Sequence, residues 1–150
     1  MRPDTEAARE YLNQLRDAHD YLEQIKKDLD SIVPLSANKA DGIRTNRGYK
    51  ASGIRSAERR LSKLEEYDRA LDHYIRLQHT IINQIDEIED AHQAEILYYR
   101  YVKFYGLHRT AEEMQMEYRY VSRLHRKALI SFSNTHHLTN DKAESANEEQ

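Results

Sequence analysis

The chain has 150 residues, of which 23 are Lys or Arg and 26 are Asp or Glu, so its net charge is −3. The absence of cysteine excludes a disulfide scaffold, a Cys-ligated zinc site and a thiol nucleophile. Because the sequence has no long apolar stretch and no basic-then-apolar leader, we expect a cytoplasmic protein that makes no membrane contact.

Residues 1–32 carry a regular apolar pattern that predicts a coiled-coil helix. Its members are spaced alternately three and four residues apart and fill both core positions of nearly four heptads: Ala8, Tyr11, Leu15, Ala18, Leu22, Ile25, Leu29 and Ile32. Asp4 can cap the start of this helix, and Pro34 follows its end.

Residues 33–55 are predicted to form a basic loop, because they hold three of the four glycines and one of the two prolines. Residues 33–63 carry a net charge of +6 in an otherwise acidic chain, which makes them a candidate contact for a polyanion. The predicted phosphate contacts in the loop are Lys39, Arg44, Arg47 and Lys50.

Residues 56–89 predict a second long helix, since they contain neither glycine nor proline. Asp68 and Gln78 interrupt a strict seam, so a broad apolar face is expected. That face consists of Leu61, Leu64, Leu71, Tyr74, Ile75, Ile81, Ile82, Ile85 and Ile88. The two long helices can pair within one chain or between two chains. Because two helices alone bury little apolar area, we favour a homodimer.

Residues 90–133 predict three helices that end the folded part of the chain. The first carries a short apolar face and ends at Gly106, which is expected to be a left-handed C-cap. The second runs from Arg109 to Met116, with either His108 or Thr110 as its N-cap. The tyrosines of the first helix and its end are expected to build a small core with hydroxyls at its edge: Tyr98, Tyr99, Tyr101 and Tyr105.

The third helix runs from about Tyr118 to Phe132 and follows a tight turn, which is the pattern of a helix-turn-helix. Its buried face is predicted to be Val121, Leu124, Ala128 and Phe132. Its outer face holds long polar groups of the kind that enter a major groove: Tyr118, Arg119, Tyr120, Ser122, Arg123, Arg126 and Lys127. Arg109 is a further predicted phosphate contact, and His125 can also reach phosphate.

The sequence VSRLHRKAL at residues 121–129 resembles the recognition helix of sigma-factor region 4, and YYRY at 98–101 and AEEM at 111–114 fit the same template. With its long helical N-terminal half, the chain is similar to the ArpU- and RinA-like late-gene transcriptional activators of phages that infect low-GC Gram-positive bacteria. The resemblance implies an all-α protein in which a long helical hairpin or coiled coil precedes a three-helix, sigma-region-4-like DNA-binding domain. It implies double-stranded DNA and bacterial RNA polymerase as partners.

Three residues depart from the sigma pattern. Thr110 stands where an apolar Ile usually packs, and Glu117 stands where Ser or Thr usually caps the recognition helix. Gln115 stands where the turn often has Gly, which predicts either a turn without a positive φ or a strained one.

The sequence therefore predicts a sequence-specific DNA-binding regulator, a phage or prophage late-gene activator that acts with host RNA polymerase. One alternative is a small terminase subunit that recognises phage DNA for packaging; another is a DNA-independent helical adaptor or polymerase inhibitor. The histidines and carboxylates show no metal-ligand or catalytic spacing, so no enzyme activity, metal or cofactor is expected. Residues 134–150 are polar and acidic and are predicted to be a disordered tail.

Overall fold

The computed structural model describes residues 5–32 and 47–138, with side chains described from residue 53 onward in the second range. These ranges contain five α-helices and no strand, so the all-α prediction is confirmed. The helices are α1 Thr5–Ser31, α2 Arg47–Asp86, α3 Ala91–Leu97, α4 Leu107–Met114 and α5 Tyr118–His136, and a π-helical turn covers Tyr98–Val102. None of these helices is long and apolar enough to cross a membrane.

Helix α2 begins earlier than the sequence pattern indicates. It starts at Arg47, so the loop predicted for residues 33–55 is wrong over its last nine residues. Gly48 and Gly53 are tolerated inside the helix, because a glycine costs a helix interior only about 0.5–1 kcal/mol relative to alanine. The remainder of the predicted loop, residues 33–46, lies outside the described residues.

Helix α5 also extends further than predicted and includes the first three residues of the expected tail. The side chain of His136, in its last turn, lies 2.9 Å from the carbonyl oxygen of Gln84 and packs on the ring of Phe132 at 4.6 Å between ring centroids. These contacts hold the end of α5 against α2, so the disordered tail predicted for residues 134–150 is wrong over residues 134–136. Residues 139–150 lie outside the described residues.

The described residues divide into two compact units, one of residues 18–32 with 47–75 and one of residues 5–17 with 76–138. In the first unit, Leu22, Ile25 and Leu29 of α1 are buried in one cluster with Ala70 of α2. Three half-buried residues of α2 pack against this cluster, namely Tyr67, Leu71 and Tyr74. The second half of the α1 heptad is thus covered by α2 of the same chain.

In the second unit, the first half of the α1 heptad is also buried within the chain. Ala8 and Leu15 are fully buried, as is Leu12, which the heptad pattern does not include. The Tyr11 hydroxyl donates a hydrogen bond to Gln84 Oε1 at 2.7 Å, and its ring lies 5.8 Å from that of Phe132. Of the two pairings left open by the sequence, the structure has α1 and α2 paired within one chain.

The apolar face predicted for α2 is correct only in part. Of the predicted residues, Ile81, Ile85 and Ile88 are buried, whereas Leu61 and Ile75 are 59% and 52% exposed. The predicted placement of these two residues in the core is therefore wrong, as is that of Leu64, which is 40% exposed. The apolar face of α2 is broader than the side that one partner helix can cover, so part of it remains exposed.

Helices α3 and α4 both contact α5. Helix α3 is capped by Asp90, whose carboxylate accepts hydrogen bonds from the backbone N–H groups of His92 and Gln93 at 3.0 and 3.1 Å. Ile96 and Leu97 at its end are fully buried. The helix widens into the π-helical turn, which places Tyr101 in the core and brings the chain to α4.

Candidate nucleic-acid interface

Helix α4 is capped at Gly106, whose backbone is extended (φ −70°, ψ 168°). Both predicted N-caps, His108 and Thr110, are therefore wrong, since they lie inside the helix. The left-handed residue at the end of the preceding helix is Phe104, with φ 62°, and not Gly106. The hydroxyl of the fully buried Thr110 donates to the Gly106 carbonyl oxygen at 2.8 Å, so a polar residue is satisfied where the sigma pattern has an apolar one.

A three-residue turn joins α4 to α5. Gln115 adopts the left-handed conformation (φ 55°, ψ 46°), so of the two predicted alternatives the strained turn is the one present. Its N–H donates to the Glu112 carbonyl at 3.1 Å, and the N–H of Met116 donates to that of Ala111 at 3.0 Å. Glu117 is extended and its carboxylate makes no capping hydrogen bond to α5. The backbone hydrogen bonds hold the turn in a conformation that costs a residue with a Cβ about 1–2 kcal/mol.

The inner face of α5 matches its prediction and is wider than predicted. All four predicted residues are buried, namely Val121, Leu124, Ala128 and Phe132. Three further residues are buried beside them: His125, Leu129 and Ser133. On α4, Ala111 and Met114 are buried at the contact with α5. The helix therefore has one fixed orientation on the core, and the same orientation decides which side chains face solvent.

The prediction that His125 reaches phosphate is wrong. Its side chain is only 6% exposed, and its Nε2 shares a hydrogen bond of 2.9 Å with the Tyr101 hydroxyl. The two rings are also stacked, at 5.7 Å between centroids. Burial, and then the positive charges of Arg100 and Arg9, lower the pKa of His125 from 6.5 to about 4. At neutral pH the imidazole is therefore an uncharged group that ties α5 to the π-helical turn.

The outer face of α5 carries four exposed cations: Arg119, Arg123, Arg126 and Lys127. At roughly 100° per residue they fall within an arc of about 100° that lies opposite the buried Val121. They span about 12 Å along the helix axis, which is close to the width of a major groove. Residues Tyr118–His136 contain no acidic residue, so nothing on α5 itself neutralises this charge. Ser122, also a predicted contact, is half-buried at the edge of the arc.

Two tyrosines lie exposed at the start of α5, as predicted for groups that contact DNA. Tyr118 is 41% exposed and Tyr120 is 46% exposed. The Tyr118 ring stacks on that of His108 in α4, with centroids 4.2 Å apart and planes 14° from parallel. This stack joins the two helices across the turn, next to Arg119 in the first turn of α5.

A second stack ends in Arg109, which the sequence predicts as a phosphate contact. The Arg109 guanidinium carbon lies 3.8 Å from the centroid of the Tyr105 ring, and Tyr105 stacks on Tyr99 with planes 10° from parallel. The Tyr105 segment is fixed by its N–H, which donates to the Tyr99 carbonyl at 2.9 Å, and by Arg100, which donates to the Tyr105 carbonyl at 3.0 Å. Of the predicted tyrosine core, only Tyr101 is fully in the interior; the other three are half-buried around this stack.

The side chains of the four predicted loop cations are not among those that the structure describes. Lys39 and Arg44 lie outside the described residues, and Arg47 and Lys50 belong to the first turn of α2, where side chains are not described. Within the described residues, no group of three His, Asp or Glu side chains is arranged to hold a metal ion.

The site is thus formed by α4, the turn and the outer face of α5, with seven predicted residues exposed around it: Arg109, Tyr118, Arg119, Tyr120, Arg123, Arg126 and Lys127. Comparisons with known proteins found no family, no curated protein and no solved structure that matches the chain.

Proposed function

We propose that the protein is a sequence-specific regulator that binds double-stranded DNA through α4, the turn and α5. The observation that carries this proposal is the arc of four exposed cations on α5, which faces away from the core and meets no acidic residue on its own helix. A convex helix with long basic side chains fits the major groove, where arginine pairs with guanine and lysine holds phosphates.

The position of each cation along α5 gives it a different role. Arg119 and Arg123 lie in the first two turns, which enter a groove most deeply when a helix of this kind docks. They are proposed to read bases. Arg126 and Lys127 lie one turn further along and are proposed to hold phosphates. Tyr118 and Tyr120 lie beside Arg119 and offer ring edges to sugars or to thymine methyl groups.

Arg109 is proposed to hold a phosphate from the α4 side of the site. Its guanidinium carbon lies 3.8 Å over the Tyr105 ring, so its rotamer is restrained before DNA binds. Restraining a side chain in its bound conformation lowers the entropy lost on binding, and the edge of a stacked guanidinium remains able to donate to phosphate oxygens.

At the level of biology, we propose a late-gene transcriptional activator of a phage or prophage that acts with host RNA polymerase. This step depends on the resemblance of residues 90–133 to sigma region 4. Assembly into a ring of many subunits, measured by light scattering, would favour the alternative of a small terminase subunit. Tight binding to purified polymerase without DNA would favour the helical adaptor or polymerase inhibitor.

The experiment that tests DNA binding is selection of bound fragments from a random duplex pool at a fixed, stated salt concentration. A regulator enriches a common motif, and the enriched duplex then serves for titration with the variants. Failure to enrich any motif, together with equal affinity for unrelated duplexes, would contradict sequence-specific recognition.

Arg123→Ala is expected to cost about 1–3 kcal/mol at the preferred site and to relax base preference at one position, because it removes a base contact. Arg126→Ala is the matched control, since it deletes the same side chain one turn away on the same exposed face. It is expected to weaken all duplexes alike. If Arg123→Ala leaves the selected motif unchanged while the circular dichroism spectrum remains helical, α5 does not read the bases.

Arg109→Ala is expected to weaken binding to every duplex by a similar factor, because it removes a phosphate contact and no base contact. The slope of log K against log salt should fall in magnitude by about 0.9 for the one phosphate released. Lys26→Ala, on the exposed side of α1 outside the site, provides a control for the loss of one positive charge. An unchanged salt slope for Arg109→Ala would remove this residue from the interface.

A further inference from the structure

Helix α2 exposes a row of large aliphatic side chains that nothing in the described structure covers. We call this row the α2 stripe: Ile54, Leu61, Leu64 and Ile75, which are 60%, 59%, 40% and 52% exposed. They lie in the unit of residues 18–75, and no other Leu or Ile of the described residues is a large exposed hydrophobic residue. Exposed apolar side chains are unremarkable when scattered, but a set grouped along one helix marks an interaction surface.

The α2 stripe lies on a different side of the helix from the face that packs on α1. At roughly 100° per residue, the four stripe positions fall within an arc of about 80°. The centre of this arc is about 110° around the helix from the centre of the face formed by Tyr67, Ala70, Leu71 and Tyr74, which meets α1. Packing among the described residues therefore leaves the stripe free to meet a second helix.

The spacing of the stripe is that of a coiled-coil seam. Ile54, Leu61 and Ile75 are separated by multiples of seven residues and share one heptad position, which is position a. Leu64 takes position d of the same heptads, with the half-buried Ala57 at the preceding d and the half-buried Leu71, which also packs against the α1 cluster, at the following d. Ile at a with Leu at d favours parallel two-stranded coiled coils.

The charges beside the stripe also match a parallel pair. In such a pair, position g of one helix meets position e of the next heptad in its partner, five residues further along. Arg60 occupies g and Glu65 occupies e, and both are exposed. Two copies in parallel register bring Arg60 of each chain to Glu65 of the other, whereas an antiparallel pair brings positions of the same type together.

We propose that the protein self-associates through the α2 stripe, with the occupant a second copy of this chain in parallel register. The surface differs from the α1 heptad, which is buried by α2 of its own chain. Because α2 is already held as a helix by that packing, docking orders few new residues. The apolar area is small, so the dimer is a weak one that forms as concentration rises.

Asp68 gives the proposal its sharpest consequence. It is exposed and occupies position a between Leu61 and Ile75, so a parallel pair places two copies of its carboxylate opposite each other. Asp68→Asn is expected to tighten the dimer by roughly threefold or more, because it removes this repulsion and a single asparagine at position a is accepted in two-stranded coiled coils. A protein that does not dimerise through this stripe gains nothing from the change.

The test is the mass of the full chain by sedimentation over a concentration series. Wild type is expected to pass from monomer to dimer, Leu61→Lys to remain monomeric, and Ser62→Lys, the same charge change at an exposed neighbour outside the stripe, to dimerise as wild type does. A wild type that stays monomeric at every concentration would overturn the proposal, as would a Leu61→Lys variant that dimerises normally.

Exchange of the flanking charges tests the orientation. Arg60→Glu and Glu65→Arg should each weaken the dimer, and the double variant should restore it, because the ion pair is re-formed with its ends exchanged. Absence of restoration would contradict the parallel register. Since the chain has no native cysteine, Leu61→Cys alone should also form a disulfide-linked dimer on oxidation, whereas a dimer that uses another surface would not cross-link at this position.

Discussion

Leu22→Lys is expected to unfold the helix pair formed by residues 18–32 and 47–75, with a loss of at least about 3 kcal/mol in the free energy of unfolding. Leu22 is 7% exposed and lies in one cluster with Ile25, Leu29 and Ala70. The substitution removes a packed side chain and brings an ammonium group to the same place, where it must either lose its water or displace its neighbours. The measurement is urea unfolding followed by circular dichroism.

Gln24→Lys provides the matched control, because it makes the same charge change two residues away on the exposed side of α1. Its side chain bonds Asp28 one turn further along the helix, and a lysine can pair with the same carboxylate. The control should therefore unfold close to wild type. If Leu22→Lys instead preserved the unfolding curve and halved the mass of an oligomer, the α1 heptad would join two chains and the packing of α1 on α2 would be contradicted.

The α1 heptad illustrates what a sequence pattern can and cannot specify. Alternating intervals of three and four residues identify which side of a helix is buried, and Leu22, Ile25 and Leu29 are buried as predicted. The pattern carries no information about which helix covers that side. Two helices alone bury little apolar surface, which favours a partner helix from a second chain. The unit that buries Ala8 and Leu15 also contains α3, α4 and α5, and the apolar surface of these helices makes a second chain unnecessary there.

Helix α2 shows the opposite difficulty. Its sequence has more apolar residues than one partner helix can cover, so burial could not be assigned from the pattern to Leu61 and Ile75 on one side and Ala70 and Ile85 on the other. Ala70 contributes little to an apolar pattern because it is small, yet its size permits close approach at the cluster with Leu22. Tertiary packing decides such cases.

In the C-terminal part, the positions of the helices and the exposed cations could be predicted from the sequence. The left-handed residue before α4 and the burial of His125 could not. His125 lies four residues after Val121 and three before Ala128, so its spacing indicates the buried face. The basic imidazole side chain, however, favours a phosphate contact, and that interpretation is wrong. The left-handed backbone at Phe104 was assigned to the nearby Gly106 because glycine adopts it at least cost. The burial of His125 and the left-handed backbone of Phe104 both depend on tertiary packing, which overrides the local preferences of the residues.

The buried pair of His125 and Tyr101 gives the protein a stability that falls as pH falls from 6.5 to about 4. Burial and the charges of Arg100 and Arg9 lower the pKa of His125 in the folded protein, so the unfolded chain takes up the proton first. Protonation therefore favours the unfolded state below the ordinary histidine pKa. Full stability is present above pH 6.5, and about 3 kcal/mol is lost once pH reaches the folded pKa.

His125→Phe isolates this contribution, because phenylalanine keeps a ring stacked on Tyr101 and cannot titrate. We expect the free energy of unfolding, measured by urea titration at each pH, to decline less steeply in this variant than in wild type between pH 6.5 and 4. Carboxylates contribute equally to both curves, so the difference in slope belongs to His125.

Tyr101→Phe is the control. It removes the hydroxyl and is expected to cost about 1 kcal/mol at neutral pH. It should retain the wild-type slope because the imidazole stays buried. If the free energy of unfolding fell equally steeply with pH in wild type and in His125→Phe, the imidazole would have the same pKa in the folded and unfolded chain. That result would contradict the lowered pKa of the buried imidazole.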